Sequence, residues 1–185
     1  AYQAGLEQGL IDLCRATGGR TLVLFTSNEQ LLSTAQAISG PLATDGIVVL
    51  EQSAGASRHA LLESFKTSEQ AVLLGTRSFW EGVDVPGEAL SVLAFARLPF
   101  DVPTDPIIAA RAETYEDSFM EYSLPEAILR FRQGFGRLIR SKSDRGVAVC
   151  FDRRLLSKRY GRAFLDSLPR TTQRIGPLSD LPRQA

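Results

Sequence analysis

Cysteine is scarce in this sequence: Cys14 and Cys150 are the only two. They stand far apart, without the CxxC spacing of a zinc or iron–sulfur site. They read instead as small buried hydrophobes of a reducing compartment, so a cytoplasmic protein is expected. No apolar run approaches the length of about 18 residues that a membrane-spanning helix needs, and no membrane partner is expected. No basic segment followed by an apolar one opens the chain, so no signal peptide is expected. There is no surplus of charge either. Twenty-one basic side chains face 21 acidic ones, and net charge alone points to no nucleic-acid partner. Internal repeats and low-complexity segments are missing. Ala1 stands where an initiator Met would be, which suggests a piece of something longer.

What is present is a sizeable apolar fraction, 44% of 185 residues, enough for one packed domain. Its charge is unevenly spread. From Asp101 to Glu126 the charged residues are acidic except Arg111, whereas Arg130 to Arg174 carries eleven Arg and two Lys against three Asp. A basic last third suits phosphate contacts, and it equally suits a solvated Arg-rich face.

Short apolar runs alternate with amphipathic stretches, which predicts an α/β domain with a mostly parallel sheet. The first assigned element is the strand Thr21–Phe25, a continuous run of β-formers expected to be buried on both faces. Ser27 has the spacing of a helix cap, and Gly40-Pro41 is expected to stop that helix near Ser39. Further strands are expected at Ile47–Leu50, Ala71–Leu74, Ala89–Ala96 and Gly146–Phe151. Helices are expected at Ser57–Phe65, from Pro106 onward behind the Asp105 cap, and from Pro125 to about Arg140. A last helix capped by Asp152 is expected to end by Pro169. Residues 1–170 form one domain in this reading, and 171–185 a tail. Ligands of such sheets bind beyond the carboxyl ends of the strands. The expected site loops are therefore 26–28, 52–57, 75–86 and 97–104, with the helix around Arg137.

That helix carries the sharpest signal. Ile128, Phe131, Phe135 and Leu138 are spaced three, four, three, as one apolar stripe. Arg130, Gln133, Arg137 and Arg140 repeat the spacing two residues on, about 200° around the helix, so this row is expected opposite the core. Gly134 and Gly136 each cost roughly 1 kcal/mol relative to Ala inside a helix. They suggest close approach to the backbone, and guanidinium groups there would bind phosphate oxygens. A bare Arg face bridging carboxylates is the plain alternative.

A second candidate is the loop from Gly75 to Gly87. Gly75 and Thr76 end a buried strand, where an amide and a hydroxyl suit a nucleic-acid phosphate. Gly82 leaves its backbone open. Asp84 suits either a turn or a ribose hydroxyl. Glu81 and Asp84 are too few for a metal site, so none is expected. Phe79 and Trp80 read as core, as do Tyr115, Phe119 and Tyr122, and His59 reads as a surface residue.

These segments have a family look. Gln133-x-x-Gly136-Arg137-x-x-Arg140 resembles motif VI of superfamily 2 helicases. Thr76 to Gly87 is similar to motif V of DinG-type helicases, and Leu22 to Ser27 is similar to motif IV. Arg97–Pro103 and Asp152–Gly161 also look like DinG-family sequence. The likeness runs from about Thr21 to Pro169. It implies a RecA-like second motor lobe of the DinG/XPD group of ATP-dependent DNA helicases, the P-loop NTPase type of fold without a P-loop of its own, since no GxxxxGK[ST] or Asp-Glu-Ala-His occurs. The resemblance implies arginine fingers at Arg137 and Arg140 with Gln133 beside them. It implies nucleotide-side positions at Gly136, Gly82, Asp84 and Glu81, and DNA-side positions at Thr26, Ser27, Gly75 and Thr76. ATP and Mg would be held mainly by an N-terminal lobe of the same polypeptide. Single-stranded DNA is the implied partner, with a monomeric protein, and any iron–sulfur cluster would lie outside this chain. Two rivals stay open: the helicase-like part of a DinG-type exonuclease, and an α/β nucleic-acid-binding module without motor activity.

Overall fold

The computed structural model describes residues 1–52, 55, 57–76, 79, 90–101, 105–139, 144–177 and 180. Five strands form one parallel sheet: β1 (Thr21–Leu24), β2 (Val48–Glu51), β3 (Ala71–Gly75), β4 (Val92–Phe95) and β5 (Val147–Cys150). Their order across the sheet is β2-β3-β1-β4-β5. β1 lies at the centre, its Leu22 level with Leu73 of β3 and Leu93 of β4. Every residue of β1, β3 and β4 is buried, which explains why they are continuous apolar runs rather than alternating ones. The outer strands β2 and β5 are partly exposed.

Successive side chains of a strand point to opposite faces, and the sheet therefore feeds two cores. Val23, Phe25, Val72, Leu74 and Ala94 pack with helices α1 (Tyr2–Thr17) and α2 (Asn28–Ala43). Leu22, Leu24, Leu73, Leu93 and Phe95 pack on the other side, with Phe65 of α3 (Arg58–Thr67) and Phe131 of α5 (Leu124–Leu138). Between β4 and α5 lie α4 (Pro106–Ala112) and a π-helical turn (Phe119–Ser123). Two short helices, α6 (Arg154–Ser157) and α7 (Gly161–Asp166), follow β5. Residues 171–177 are exposed and outside regular structure.

The helices and the packing of the aromatics depart from the sequence expectations at four places. Helix α1 was not expected, although Leu6, Leu10, Leu13 and Cys14 are spaced as one buried stripe and Gly18, at φ 70°, ends it in the left-handed region. Helix α2 does not stop at Gly40-Pro41 but runs through Pro41 to Ala43. Leu42 is fully buried and its carbonyl accepts from the Ile47 N–H, so tertiary burial carries the last turn past the proline. The expected final helix is instead two, because the chain doubles back at Gly161. A Cβ there would stand 2.1 Å from the Leu155 carbonyl oxygen, a contact only glycine permits. Of Tyr115, Phe119 and Tyr122, all expected in the core, Tyr122 is buried, while Tyr115 and Phe119 are 42% and 39% exposed. Phe79 is fully buried as expected and His59 is exposed, whereas Trp80 lies outside the described residues.

Candidate functional site

The carboxyl ends of all five strands share one rim, because the sheet is parallel. Thr26 and Ser27 follow β1, and both are half-buried. Ser27 caps α2, its Oγ accepting from the Gln30 N–H at 3.3 Å. Gly75 closes β3. Its carbonyl accepts from the Phe25 N–H at 2.9 Å, and a Cβ on it would stand 2.6 Å from the Phe79 ring. Glycine here thus answers first to packing beneath Phe79.

Thr76 is where sequence reasoning missed a residue. Its N–H and its hydroxyl both donate to Gln52 Oε1, each at 2.9 Å. Gln52 leaves the carboxyl end of β2, its own N–H donating to the Leu74 carbonyl. One amide oxygen therefore occupies both donors that the sequence offered to a phosphate. The signal available was weak, a lone Gln directly after a strand in a loop marked for its position.

The loop after β4 is clamped residue by residue. The Tyr2 hydroxyl donates to the Ala96 carbonyl, and the Arg97 guanidinium lies 4.1 Å above the Tyr2 ring. Burial pushes the Tyr2 phenol up to about 12, against the opposing pull of Arg97. The Leu98 N–H donates to Asp152 Oδ2 at 3.0 Å, and Phe100 packs edge-on against Tyr160 and Phe164. Asp152, just past β5, is 5% exposed. It also accepts from the Arg154 N–H at 3.0 Å and from its guanidinium at 2.6 Å. Burial alone would raise the Asp152 carboxyl. The Arg154 bonds and the Leu98 N–H outweigh it, and its pKa is lowered.

A carboxyl depressed in the folded state contributes stability above its unfolded value of about 3.9 and loses it as pH falls through the folded one. Asp152→Asn is accordingly expected to cost about 1–3 kcal/mol at neutral pH. The gap to the parent should narrow below about pH 4 in urea unfolding followed across pH. A gap that stays constant down to about pH 2 would mean that this carboxylate's charge stabilises nothing.

Helix α5 does not sit on that rim alone. Its first half lies near the loop after β4, where Arg130 reaches Pro99 and Asp101. Its end lies against the amino ends of β4 and β5, where a Cβ on Gly146 would meet Leu138 at 2.5 Å and the Ser91 carbonyl at 2.9 Å. The helix thus runs antiparallel to the strands. Arg137 stands at the opposite end of the sheet from Thr26 and Thr76, about 10 Å along the helix from Arg130. This corrects the expectation of a single rim.

The polar row needs a second correction. Buried positions of α5 include Ala127 and Gly134 as well as Phe131, Phe135 and Leu138. These two small residues shift the buried arc toward the arginines. The row lies on the helix flank, roughly 80–140° from the centre of that arc, rather than opposite it. Arg130 is 8% exposed and bonded to Asp101, so it is no part of an open face. Arg137 is half-buried and interacts within the lobe. Gln133 and Gly136 are exposed, and a Cβ on Gly136 would meet nothing within 4 Å among the described residues. Backbone is therefore open beside Arg137, as the glycine suggested. Arg140 follows the end of α5, at Leu138, and lies outside the described residues, as do Glu81, Gly82 and Asp84.

Among the described residues no group of three His, Cys, Asp or Glu side chains is placed to hold a metal, and no helix is long and apolar enough to cross a membrane. Burial pushes both cysteine thiols up to about 12, and they pack on opposite faces of the sheet.

Residues 10–171 match the helicase C-terminal domain family. The chain belongs to that family. The helicase lobe is 46% identical over 158 residues to the 3'-5' exonuclease DinG of Bacillus subtilis (strain 168), covering 83% of this chain and 17% of that protein. It is 40% identical over 161 residues to the ATP-dependent DNA helicase YoaA of Escherichia coli (strain K12), covering 85% of this chain and 25% of that protein. Among solved structures, the S. tokodaii Xpd4 chain matches 82% of the lobe with a TM-score of 0.52 at 23% identity, over 30% of its own length. The lobe thus spans about a fifth of the length of the curated relatives it matches, and its RecA-like α/β fold is that of helicase domains.

Proposed function

We propose that this lobe is the second motor half of an ATP-dependent DNA helicase of the DinG type. In this reading Arg137 and Arg140 are the arginine fingers. They reach the γ-phosphate of an ATP–Mg complex held by an N-terminal lobe, and Gln133 orients them. Gly136, Gly82, Asp84 and Glu81 border the nucleotide, while Thr26, Ser27, Gly75 and Thr76 face the backbone of a single DNA strand, which Thr76 grips only by giving up its bonds to Gln52. Arg137 neutralises charge that develops on the transferring phosphoryl group, and a finger of this kind is worth about 10³–10⁵ in rate.

One observation carries the reading: α5 spans the sheet from end to end, with Arg137 beside open backbone at the end away from Thr26 and Thr76. Nucleotide and strand are then gripped at separate ends of one rigid body. The segment from Thr76 to Leu90 joins the two ends, since Thr76 follows β3 and Leu90 precedes β4. Closure of the lobes around ATP draws in the fingers, and loss of the γ-phosphate releases them.

The Bacillus relative is named an exonuclease, but this lobe covers only 17% of that protein, which leaves most of its length for a nuclease. A motor lobe is compatible with both names.

The isolated chain tests this reading. It should show no ATP turnover and bind fluorescent single-stranded DNA weakly. Both activities should appear when a nucleotide-binding lobe is supplied. Tight DNA binding by the chain alone, with a steep salt dependence, would instead identify a binding module without motor activity.

A further inference from the structure

Arg130 is the member of the polar row that the fold withdraws from solvent, and its surroundings are unusual for an arginine. Its guanidinium forks onto Asp101, Nη1 to Oδ1 at 2.7 Å and Nη2 to Oδ2 at 2.8 Å. Nη1 also donates to the Pro99 carbonyl at 3.4 Å, and Glu126 stands 3.6 Å from Nη2. The two partners of the fork are 10% and 11% exposed. A buried ion pair of this kind adds little net stability over apolar packing, because both charges lose their water. What it adds is geometry, since a planar fork fixes direction as well as distance.

That direction matters through helical spacing. Arg130 and Arg137 are seven residues apart, which returns to within about 20° of the same flank. The core-facing side chains of α5 are held by apolar contact, Phe131 on Phe95 and Phe164 foremost. Such packing tolerates rotations of several degrees. The fork does not, and its other half is anchored. Asp101 closes the loop whose Arg97 stacks on Tyr2, whose Leu98 N–H bonds Asp152, and whose Phe100 packs on three rings. A side-chain tip lies about 6 Å from the helix axis, so a turn of about 10° displaces it by roughly 1 Å. Misplacement of about 1 Å at a reacting centre costs on the order of 10² in rate.

We propose that Arg130, by its fork on Asp101, sets the rotation of α5 and so the aim of Arg137, making it a positioning residue for phosphoryl transfer. The proposal rests on the reading of Arg137 as a finger. The test uses an intact helicase in which this lobe is joined to its nucleotide-binding lobe, with the variants Arg130→Lys, Arg137→Ala and both together. Lysine keeps the charge and loses the fork. Arg130→Lys should lower kcat about tenfold or more and leave KM for ATP within about twofold. The double variant should be no slower than Arg137→Ala alone, because Arg130 acts only through Arg137. Losses that multiply in the double variant, or an unchanged kcat for Arg130→Lys beside a slow Arg137→Ala, overturn the positioning role and leave the finger standing. A fast Arg137→Ala removes both. Where Arg130→Lys fails to fold, Asp101→Asn, which keeps the shape and weakens the fork, answers by the same comparison.

Discussion

Arg137→Ala in the intact helicase is expected to cut ATP turnover by about 10³-fold or more, with the lobe's melting temperature within about 3 °C of the parent. The two halves of this expectation have separate physical grounds. Arg137 lies on the flank of α5, half-buried and outside both apolar cores, beside an exposed glutamine and an uncovered glycine. Charge on a transferring phosphoryl group loses one of its two proposed guanidinium partners, and water screens that charge far less well in a closed cleft. Stopped-flow phosphate release measures the rate, and calorimetry of the same sample measures the fold. A variant that loses turnover and folding in parallel would identify Arg137 as structural.

Phe131→Ala, six residues away on the same helix, should behave oppositely. Phe131 is 3% exposed. Its ring lies 4.5 Å from that of Phe95 on β4 and meets Phe164 of α7 edge-on at 5.4 Å. Truncation removes contacts on both sides at once and leaves a cavity that the rigid sheet cannot fill, at a cost of about 3–5 kcal/mol. That is a fifth or more of the stability of a typical domain of about 5–15 kcal/mol. Urea unfolding of the isolated chain should show a lower midpoint with an unchanged slope. A loss below about 1 kcal/mol would mean that α5 does not depend on this contact. The contrast between the two substitutions separates what the helix holds together from what it presents.

Much of this was legible in the residues. The buried strands β1, β3 and β4 announced themselves as continuous apolar runs, and Asp105-Pro106 marked the start of α4. The errors have specific physical causes. The stop at Gly40-Pro41 was overridden by the burial of Leu42, which local propensity does not register. Large apolar residues alone set the polar row opposite the core, whereas the buried Ala127 and Gly134 extend the contact face toward it, since small residues mark the closest approach of helix to sheet. Arg130 was grouped with Arg137 because spacing alone cannot see that Asp101, 29 residues earlier, folds over it. Gln52 was passed over because its partner Thr76 lies 24 residues away in the chain. The direction of α5 was the most consequential miss. A rule for ligands at the carboxyl ends of strands suits a domain that binds its own nucleotide through a P-loop, whereas this sequence has no P-loop and Arg137 stands near the other end of the sheet.

The central claim is that this lobe lends a guanidinium to a nucleotide held by another. The most direct measurement is a crystal structure of the joined lobes with a non-hydrolysable ATP analogue and single-stranded DNA. The Arg137 guanidinium should then stand within about 3 Å of a γ-phosphate oxygen, with the strand at the far end of the sheet near Thr26 and Thr76. An Arg137 more than about 6 Å from the phosphates of a closed, occupied cleft would contradict it, as no charge-assisted hydrogen bond reaches that far.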